Sequence, residues 1–341
     1  FDIRNCQFLN GSAGGSGIDM VGCHDGIIEA NRFENMGTNA IQAKGGTARI
    51  QILRNWLQNA GSRALNLGGS TGLEFFRPID APYEAADLQV YANVFIGSEA
   101  AVAYVGAVRV DVANNTIRDP ALWILRILQE TVNPARFLAC GDNSFRNNLV
   151  IRDGNLRTDI NIGPNTRPES FTFANNLWFH SMDAAWSGPS LPATETNALV
   201  QVNPRIVSLA DRDFHPLPGS PLIGKGQSGA GALRDFDGKK YADPPAIGAF
   251  EGAVSTGLKV TPSGKGLRVF PNPLVGGQQL LVRHDFERPL PAQLVNAAGC
   301  TVRRFLMHPE DSISTESLPA GAYVLRTTWQ GQNLAVTVVI Q

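Results

Sequence analysis

The chain has 341 residues, of which 43% are hydrophobic, and its 29 basic and 30 acidic side chains leave a net charge of −1. This composition excludes general disorder. Because basic side chains do not outnumber acidic ones, nonspecific binding to nucleic acid or anionic membranes is not expected either. The longest apolar runs, at 100–105 and 336–340, fall far short of the roughly 20 residues of a membrane helix. No membrane span is predicted.

Glycine and proline are frequent, with 35 and 21 residues, and only four cysteines are present. A chain this rich in turn residues is expected to contain few long helices. The cysteines lack the C-x-x-C spacing of zinc or redox sites. We expect buried free thiols, and a Cys6–Cys23 disulfide is the alternative. Phe1 begins inside a strand-like pattern, which favours a chain cut from a longer precursor.

A short motif with asparagine in a fixed place recurs along the first half of the chain, for example at 28–33 and 53–57. A repeat of short alternating strands separated by Gly and Asn turns is typical of a right-handed parallel β-helix. Asparagine suits the fixed place because it tolerates the left-handed conformation and its amide can bond the next asparagine of the stack. We call this place the anchor. It is occupied by Cys6, Asn31, Asn55, Asn93, Asn115, Asn148 and Asn176, at steps of 25, 24, 38, 22, 33 and 28 along the sequence.

A second strand is predicted at a constant spacing after each anchor, as from Asn31 to Gln42 and from Asn55 to Asn66. Strand alternation places its polar residues outside and their apolar neighbours inside. Asp19 joins this outward stripe if Gly14 and Gly15 are an insertion, and Lys44 and Asn161 lie two residues further on. With strands about 4.8 Å apart, the stripe would be roughly 25 Å long. Its five principal members are Gln42, Asn66, Tyr104, Arg126 and Asp159.

The longest insertion lies between Asn55 and Asn93 and carries Glu74, Arg77 and, further along, Tyr83 and Glu84. Loops of this length with aromatic and charged side chains usually have a function. A long groove of amides, charges and aromatic rings suits an extended ligand that is rich in hydroxyl groups. The sequence therefore predicts a polysaccharide groove along the stripe.

Two reaction types are compatible with these residues. A lyase acting on a uronic acid polymer needs a base and cations near the carboxylate; Lys44 would be the base, and Arg126 or Arg77 would neutralise the charge. A glycosidase needs two carboxyl groups about 5–10 Å apart. Asp19 and Asp159 lie near opposite ends of the predicted stripe, so a loop carboxylate such as Glu74, Glu84 or Asp80 would be required.

Each of these residues also has an interpretation that involves no catalysis. Arg126 and Asp159 fall on adjacent repeats and could simply pair across the sheet. Glu74 and Arg77 could form a salt bridge within the loop, and Lys44 could be a solvated strand end. The catalytic candidates are Lys44, Arg77, Arg126 and Glu74, and the substrate-binding candidates are Asp19, Gln42, Asn66, Tyr104, Asp159, Asn161, Tyr83 and Glu84.

One segment, Asp235 to Gly238, has alternating carboxylates but lacks the rest of a calcium-binding loop. A polar turn is the favoured interpretation, with calcium as the alternative. No other residues of the sequence indicate a metal site or a cofactor.

The repeat pattern of residues 1–252 resembles the right-handed parallel β-helix superfamily, which includes pectate lyases, chondroitinase B, alginate lyases and polygalacturonases. The segments at 219–226 and 235–251 look like the closing segment of bacterial members. The resemblance is one of fold. It includes no catalytic signature of a single family, so the enzyme class is an analogy.

After a linker at 253–266, the run Val269–Phe270–Pro271–Asn272–Pro273 opens a new series of short strands. Alternation and turn residues predict a small Ig-like β-sandwich over 267–341. The order of Pro-Asn-Pro, Leu318–Pro319–Ala320–Gly321–Ala322–Tyr323 and a closing strand resembles the C-terminal sorting domain of the bacterial type IX secretion system. This resemblance implies a secreted or cell-surface protein whose partner is the secretion machinery.

The sequence therefore predicts an all-β protein in which a β-helix is followed by a sorting domain. The favoured function is a polysaccharide lyase or related enzyme acting on an extended polymer, with uronic acid units as one candidate. A lyase is favoured over a glycoside hydrolase. The alternative is a noncatalytic surface adhesin or glycan-binding protein.

Overall fold

The computed structural model describes residues 1–252 and 267–341, except residues 13, 155, 157, 230, 285, 287, 298, 330 and 331. The described residues are all-β, and the helical segments among them are two 3-10 turns, Leu73–Phe75 and Pro168–Ser170. They fall into two compact units, one up to residue 252 and one from residue 267 onward. No helix in the described parts of the chain has the length and hydrophobicity needed to cross a membrane.

Short strands make up the first unit. In chain order they are β1 Asp2–Arg4, β2 Gln7–Leu9, β3 Ser16–Val21, β4 His24–Glu29, β5 Arg32–Met36, β6 Asn39–Lys44, β7 Thr47–Leu53, β8 Trp56–Ala60, β9 Arg63–Gly68, β10 Ala85–Ala86, β11 Gln89–Tyr91, β12 Val94–Ile96, β13 Ala100–Val105, β14 Ala107–Val108, β15 Asp111–Ala113, β16 Thr116–Arg118, β17 Trp123–Leu128, β18 Ser144–Arg146, β19 Leu149–Arg152, β20 Ile160–Ile162, β21 Thr172–Ala174, β22 Leu177–His180, β23 Glu195–Thr196, β24 Leu199–Val200, β25 Ile206–Ser208 and β26 Asp213–Pro216.

Three long parallel sheets are built from these strands. Sheet I has the order β1-β4-β7-β11-β15-β18-β21-β23, with β10 and β14 alongside; sheet II is β2-β5-β8-β12-β16-β19-β22-β24; and sheet III is β3-β6-β9-β13-β17-β20. Neighbouring strands in each sheet come from successive repeats, so each repeat buries its apolar side chains against the next. The arrangement is compatible with a β-helix-like solenoid. Strands β25 and β26 form a separate antiparallel pair.

The interior is made of apolar side chains stacked in register. In sheet I, Ile28 lies opposite Ile52, and Ile52 lies opposite Val90. Further along the sheet, Phe145 lies opposite Phe173. All five side chains are buried. Burial of one such side chain contributes about 1.5–3 kcal/mol, so the stack stabilises neighbouring repeats cooperatively.

The anchors form a ladder of buried amides between sheets I and II, as the sequence predicts. The Oδ1 atom of Asn55 accepts from the backbone N–H (2.9 Å) and Nδ2 (3.0 Å) of Asn31. Asn93 does the same for Asn55. The predicted backbone conformation of the anchors is wrong, because the left-handed residue is the one before each anchor, such as Ala30 (φ 55°) or Ala92 (φ 55°). That residue makes the bend, and the anchor side chain then turns inward.

The ladder ends at a repeat that the sequence analysis missed. Leu177 pairs with Leu199, so the anchor place of this last repeat falls on Ala198. The carboxylate of Glu195 replaces the missing amide: Oε1 accepts from the backbone N–H (3.0 Å) and Nδ2 (2.7 Å) of Asn176. Burial raises the pKa of Glu195. A carboxylate therefore closes a ladder whose other acceptors are amides.

Antiparallel strands form the second unit. Leu280, Val282, Leu294, Leu325 and Val338 lie in its buried core. The strands are β27 Leu267–Phe270, β28 Gln279–His284, β29 Leu290–Asn296, β30 Thr301–Met307, β31 Glu310–Ser314, β32 Gly321–Trp329 and β33 Gln332–Ile340, in two sheets of order β27-β28-β31 and β30-β29-β32-β33.

All four cysteines are free thiols. Cys140 is buried, as predicted, and burial raises the pKa of its thiol to about 12. Cys6 and Cys300 are exposed and Cys23 is half-buried, so the expectation of buried thiols is wrong for these three. The alternative Cys6–Cys23 disulfide does not form.

Candidate functional site

A row of side chains crosses the outer face of sheet III, and we call it the outward column. It takes one residue from each of six strands, so it spans about 24 Å at about 4.8 Å per strand. In register order its members are Asp19, Gln42, Asn66, Ala103, Arg126 and Asn161. The structure therefore brings five of the predicted site residues into one row, but Asn66 is buried, so its predicted exposure is wrong.

Tyr104 does not belong to this row, and its predicted exposure is wrong. It pairs with Leu67 on the inward face and is fully buried, with its ring edge against Phe171 at a centroid distance of 5.1 Å. In this repeat the spacing from anchor to column, Asn93 to Ala103, is one residue shorter than the predicted spacing. A slip of one residue moves a strand side chain to the opposite face.

Asp159 is also displaced from the column. Asn161 lies opposite Arg126, and the Arg126 Nε donates to Asn161 Oδ1 at 3.0 Å. Asp159 instead forms a salt bridge with the buried Arg152. Its partial burial raises the pKa of its carboxyl group despite the nearby charge of Arg152. The suggested Arg126–Asp159 pair is therefore wrong, because two extra residues separate the anchor from the column in this repeat.

The centre of the column carries residues that the sequence analysis missed. The guanidinium of Arg126 lies over the Trp123 ring, 4.4 Å from its centroid. Arg63 donates to Asn66 Oδ1 at 3.0 Å and to Glu130 Oε1 at 2.8 Å. Trp123 and Arg63 each lie three residues before a column member on the same strand. Strict alternation would put residues at that spacing on the opposite face, so the sequence pattern alone did not indicate them.

Arg126 differs from the other arginines on the strands of the three parallel sheets. Within the part of the chain that the structure describes, it has no salt-bridge partner. Burial lowers the pKa of Arg126, the charge of Arg63 lowers it further, and the charges of Glu130 and Glu99 act in the opposite direction. A half-buried cation without a salt-bridge partner can accept an anion from a ligand. The other strand arginines, all in salt bridges, are Arg4, Arg32, Arg49, Arg63, Arg118, Arg146 and Arg152.

Lys44 lies at the other end of the column. Its Nζ is 3.2 Å from Asp19 Oδ2, so the ammonium group and this carboxylate form a salt bridge. Lys44 is on β6 and Arg126 is on β17, three strands apart in sheet III. That separation is about 14 Å at the strand spacing. The two side chains are therefore too far apart to act on one sugar ring.

The insertion at 68–87 packs against the ends of sheet III strands. The Arg77 backbone N–H donates to the Gly45 carbonyl at 3.0 Å. The buried Glu84 carboxylate accepts from the Gly45 N–H at 2.8 Å, from Thr71 Oγ1 at 2.7 Å and from Thr131 Oγ1 at 2.5 Å. Glu84 therefore fastens two loops to the sheet. Its burial and its occupied oxygens do not favour the predicted role as a substrate ligand.

The other candidates of this insertion, Glu74, Arg77 and Tyr83, have no hydrogen bond to a column member among the described contacts. Arg77 Nη1 donates to the carbonyl groups of Phe76 (2.6 Å) and Glu74 (3.0 Å). Glu74 is exposed, and no salt bridge joins it to Arg77 in the described structure. Tyr83 lies beside sheet I, with the Arg109 guanidinium 5.8 Å from its ring centroid. The guanidinium of Arg77 is therefore engaged by its own loop, and Tyr83 belongs to the surroundings of sheet I rather than of sheet III.

The Asp235–Gly238 segment is a turn, closed by a hydrogen bond of 2.9 Å from the Gly238 N–H to the Asp235 carbonyl. The Asp235 carboxylate accepts from the backbone N–H groups of Lys239 (2.7 Å) and Glu251 (3.0 Å). Asp237 is bonded to His215 at 2.9 Å. Among the described residues, no three His, Cys, Asp or Glu side chains are grouped so that they could hold a metal ion.

No family model matches the chain, and no curated protein matches it with significant similarity. The class that the fold and the site define is an all-β protein with long parallel sheets and a row of polar and charged groups on one outer face. One cation of that row, Arg126, has no salt-bridge partner among the described residues.

Proposed function

We propose that residues 1–252 form a right-handed parallel β-helix that binds an extended, carboxylate-bearing polysaccharide along the outward column. The observation that carries the proposal is the Arg126 guanidinium, which is stacked on Trp123 and held by Asn161 but lacks a carboxylate partner in the described structure. A guanidinium fixed in this way is suited to bind a carboxylate through two parallel hydrogen bonds.

The rest of the column supports a ligand made of repeated sugar units. Gln42 and Asn161 are partly exposed and carry side-chain amides, which can donate to and accept from hydroxyl groups. Asn66 and Ala103, in the middle of the row, are buried, so the exposed groups lie on either side of them. A row of about 24 Å is longer than one sugar ring, so a polymer of uronic acid units is the ligand class that fits it best.

Binding without catalysis is the function that this geometry supports best. The lyase scheme needs a base and a cation on one sugar ring, but Lys44 and Arg126 are about 14 Å apart. Lys44 is engaged by Asp19, and Arg77 is engaged by carbonyl groups of its own loop. The glycosidase scheme needs a close carboxyl pair, and Asp19 and Asp159 do not provide one.

The test is calorimetric titration of the protein with polygalacturonate, alginate and neutral dextran. We expect binding to the two acidic polymers. Arg126→Gln should weaken it roughly tenfold or more, because hydrogen bonds to a charged group contribute about 1.5–3 kcal/mol. The matched control is Arg49→Gln, which removes an exposed, salt-bridged arginine on sheet I. Equal affinity for dextran, or unchanged affinity in the Arg126 variant, would contradict the proposal.

A lyase remains the second candidate because of one feature, the position of Lys44 between Gln42 of the outward column and the 68–87 insertion. The ideal Cβ position of Gly69 in that insertion is 3.4 Å from Lys44 Cδ. Release of unsaturated products from a uronic acid polymer, followed by their ultraviolet absorbance and abolished by Lys44→Ala, would establish the lyase. No product from any polymer, together with retained binding, would leave the binding function.

We further propose that residues 267–341 form an Ig-like β-sandwich that acts as a type IX sorting domain, so that the protein is secreted or placed on the cell surface. Each of its sequence motifs is tied into the unit. Asn272 of Pro-Asn-Pro donates to the Thr337 carbonyl (2.7 Å) and accepts from the Val339 N–H (2.9 Å). The Tyr323 hydroxyl donates to the Pro319 carbonyl at 2.7 Å.

The test is to fuse residues 253–341 to a fluorescent protein with a periplasmic signal, in a bacterium that has type IX secretion. We expect fluorescence in the medium or on the cell surface. The control is the same fusion in a strain without the secretion machinery, where it should stay in the periplasm. Retention in both strains would contradict the sorting function.

A further inference from the structure

A cavity of about 420 Å³ lies on the outer face of sheet I. Its floor is formed by side chains from several parallel strands, and its rim by the segment that follows β26. This is a different sheet from the one that carries the outward column. The lining residues are Glu29, Gln51, Leu53, Arg54, Gln89, Tyr91, Arg146, Gly229, Gly231, Ala232, Leu233 and Arg234.

The rim is held close to the sheet at one glycine. Gly231 has a φ of 86°, and a Cβ built on it would lie 2.2 Å from Asn114 Oδ1. A larger residue would clash there and would also be strained by the left-handed backbone. The Asn114 side chain in turn donates to the Ala246 carbonyl at 3.0 Å. The cavity is therefore built by close packing of the rim against the strands.

Three guanidinium groups line this cavity together with one carboxylate, Glu29; a second carboxylate, Asp111, is not among the lining residues but pairs with Arg146. Arg54 pairs with Glu29 at 3.0 Å, and Arg146 pairs with Asp111 at 2.6 Å. Arg234 donates to the Gly238 carbonyl at 2.9 Å and has no salt bridge to any described residue. The groups leave one positive charge, which matches a single negative charge on a ligand.

Uncharged groups complete the cavity. Gln51 Nε2 donates to Gln89 Oε1 at 3.1 Å, which leaves Gln51 Oε1 as an acceptor and Gln89 Nε2 as a donor for hydroxyl groups. Leu53 and the Tyr91 ring supply apolar surface. The Tyr91 hydroxyl is already bonded to Asp111 at 2.5 Å, so the ring is fixed in place.

We infer that this cavity binds a monosaccharide-sized ligand that carries hydroxyl groups and one carboxylate, with Arg234 as the carboxylate ligand. The volume lies in the range of small-molecule sites, about 300–1,000 Å³. The surplus of one positive charge favours a carboxylate over a doubly charged phosphate. The site is separate from the outward column and does not depend on the function proposed for it.

The test is calorimetric titration of the full chain with D-galacturonate, its methyl ester, D-galactose and inorganic phosphate. We expect galacturonate to bind most tightly and Arg234→Gln to weaken it at least tenfold. Gln89→Ala, on the floor of the cavity, should weaken it several-fold and serves as a second variant. Arg212→Gln is the matched control: this exposed arginine, between β25 and β26, bonds Gln58 at 2.8 Å outside the cavity.

Arg126→Gln distinguishes the two sites: it should weaken binding of polygalacturonate along the outward column, whereas Arg234→Gln should weaken the tighter binding of galacturonate in this cavity. Loss of galacturonate binding in the Arg126 variant, with no effect of Arg234→Gln, would overturn the inference and assign the sugar to sheet III. Tighter binding of phosphate, equal binding of the methyl ester, or no galacturonate binding at millimolar concentration would also overturn it.

Discussion

Asn148 Oδ1 accepts hydrogen bonds from both the backbone N–H (2.9 Å) and the side-chain Nδ2 (3.0 Å) of Asn115. Both residues are fully buried. The same Nδ2 also donates to the Val90 carbonyl at 2.9 Å. One amide therefore satisfies polar groups of three successive repeats, which explains why asparagine recurs where the chain passes from sheet I to sheet II.

We predict that Asn115→Ala lowers the free energy of unfolding by about 2–4 kcal/mol, because it leaves several buried backbone groups without partners. The measurement is thermal or urea unfolding followed by circular dichroism. Gln89→Ala is the control, since Gln89 is an exposed amide of sheet I. A loss in Asn115→Ala no larger than in the control would contradict the structural role of the ladder.

Substitution of Tyr104 should stabilise the protein, in contrast to substitution of Asn115. The hydroxyl group of Tyr104 is buried and has no hydrogen-bond partner among the described residues, and an unpaired buried polar group costs about 1–3 kcal/mol. Tyr104→Phe should therefore raise the free energy of unfolding by about 1 kcal/mol. Tyr241→Phe is the matched control: its buried hydroxyl donates to the Gly248 carbonyl at 2.8 Å, so its loss should destabilise the unit. A destabilised Tyr104→Phe variant would refute the inward placement.

Glu84 should act as a fastener of the two loops rather than as a ligand. Glu84→Ala removes the acceptor of Gly45, Thr71 and Thr131, and we expect chymotrypsin to cleave the 73–76 segment several-fold faster. Limited proteolysis with mass spectrometry measures the rate. Glu74→Ala, an exposed carboxylate in the same insertion, is the control. Equal cleavage rates in the two variants would argue against this role.

His215 predicts a dependence of stability on pH. Burial by itself lowers the pKa of this imidazole, but the hydrogen bonds with Asp237 (2.9 Å) and Asp213 (2.5 Å) outweigh burial and raise the pKa above 6.5. The folded state therefore binds the proton more tightly than the unfolded state. The stabilisation is fully present below pH 6.5 and is lost as the pH rises through the raised pKa of the folded state.

The measurement is the melting temperature between pH 5 and pH 9, with His215→Gln as the comparison. The wild-type melting temperature should fall relative to that of the variant as the pH rises above 6.5. Nuclear magnetic resonance titration of the ring gives the pKa directly. A pKa at or below 6.5 would contradict the paired geometry.

The sequence alone predicted the repeat and the bonding of its anchors. The 22 residues from Asn93 to Asn115 are the length of chain needed to pass once through the three sheets. A buried amide at each turn can be recognised because asparagine recurs there between apolar residues. The column members Gln42, Asn66 and Arg126 followed from the constant spacing between anchor and column. Strand alternation is a local property, so these features needed no tertiary information.

Which side chains contact one another depended on the tertiary structure. The repeat of Tyr104 is one residue shorter between anchor and column, and that difference turned the ring into the core. The roles of Glu84, the stacking partner of Arg126 and the cavity beneath Arg234 depend on contacts between distant parts of the chain. The spacing of residues within one repeat predicts on which face of a strand a side chain lies. Which charges are paired and which remain available to a ligand depends on the packing of loops and neighbouring repeats.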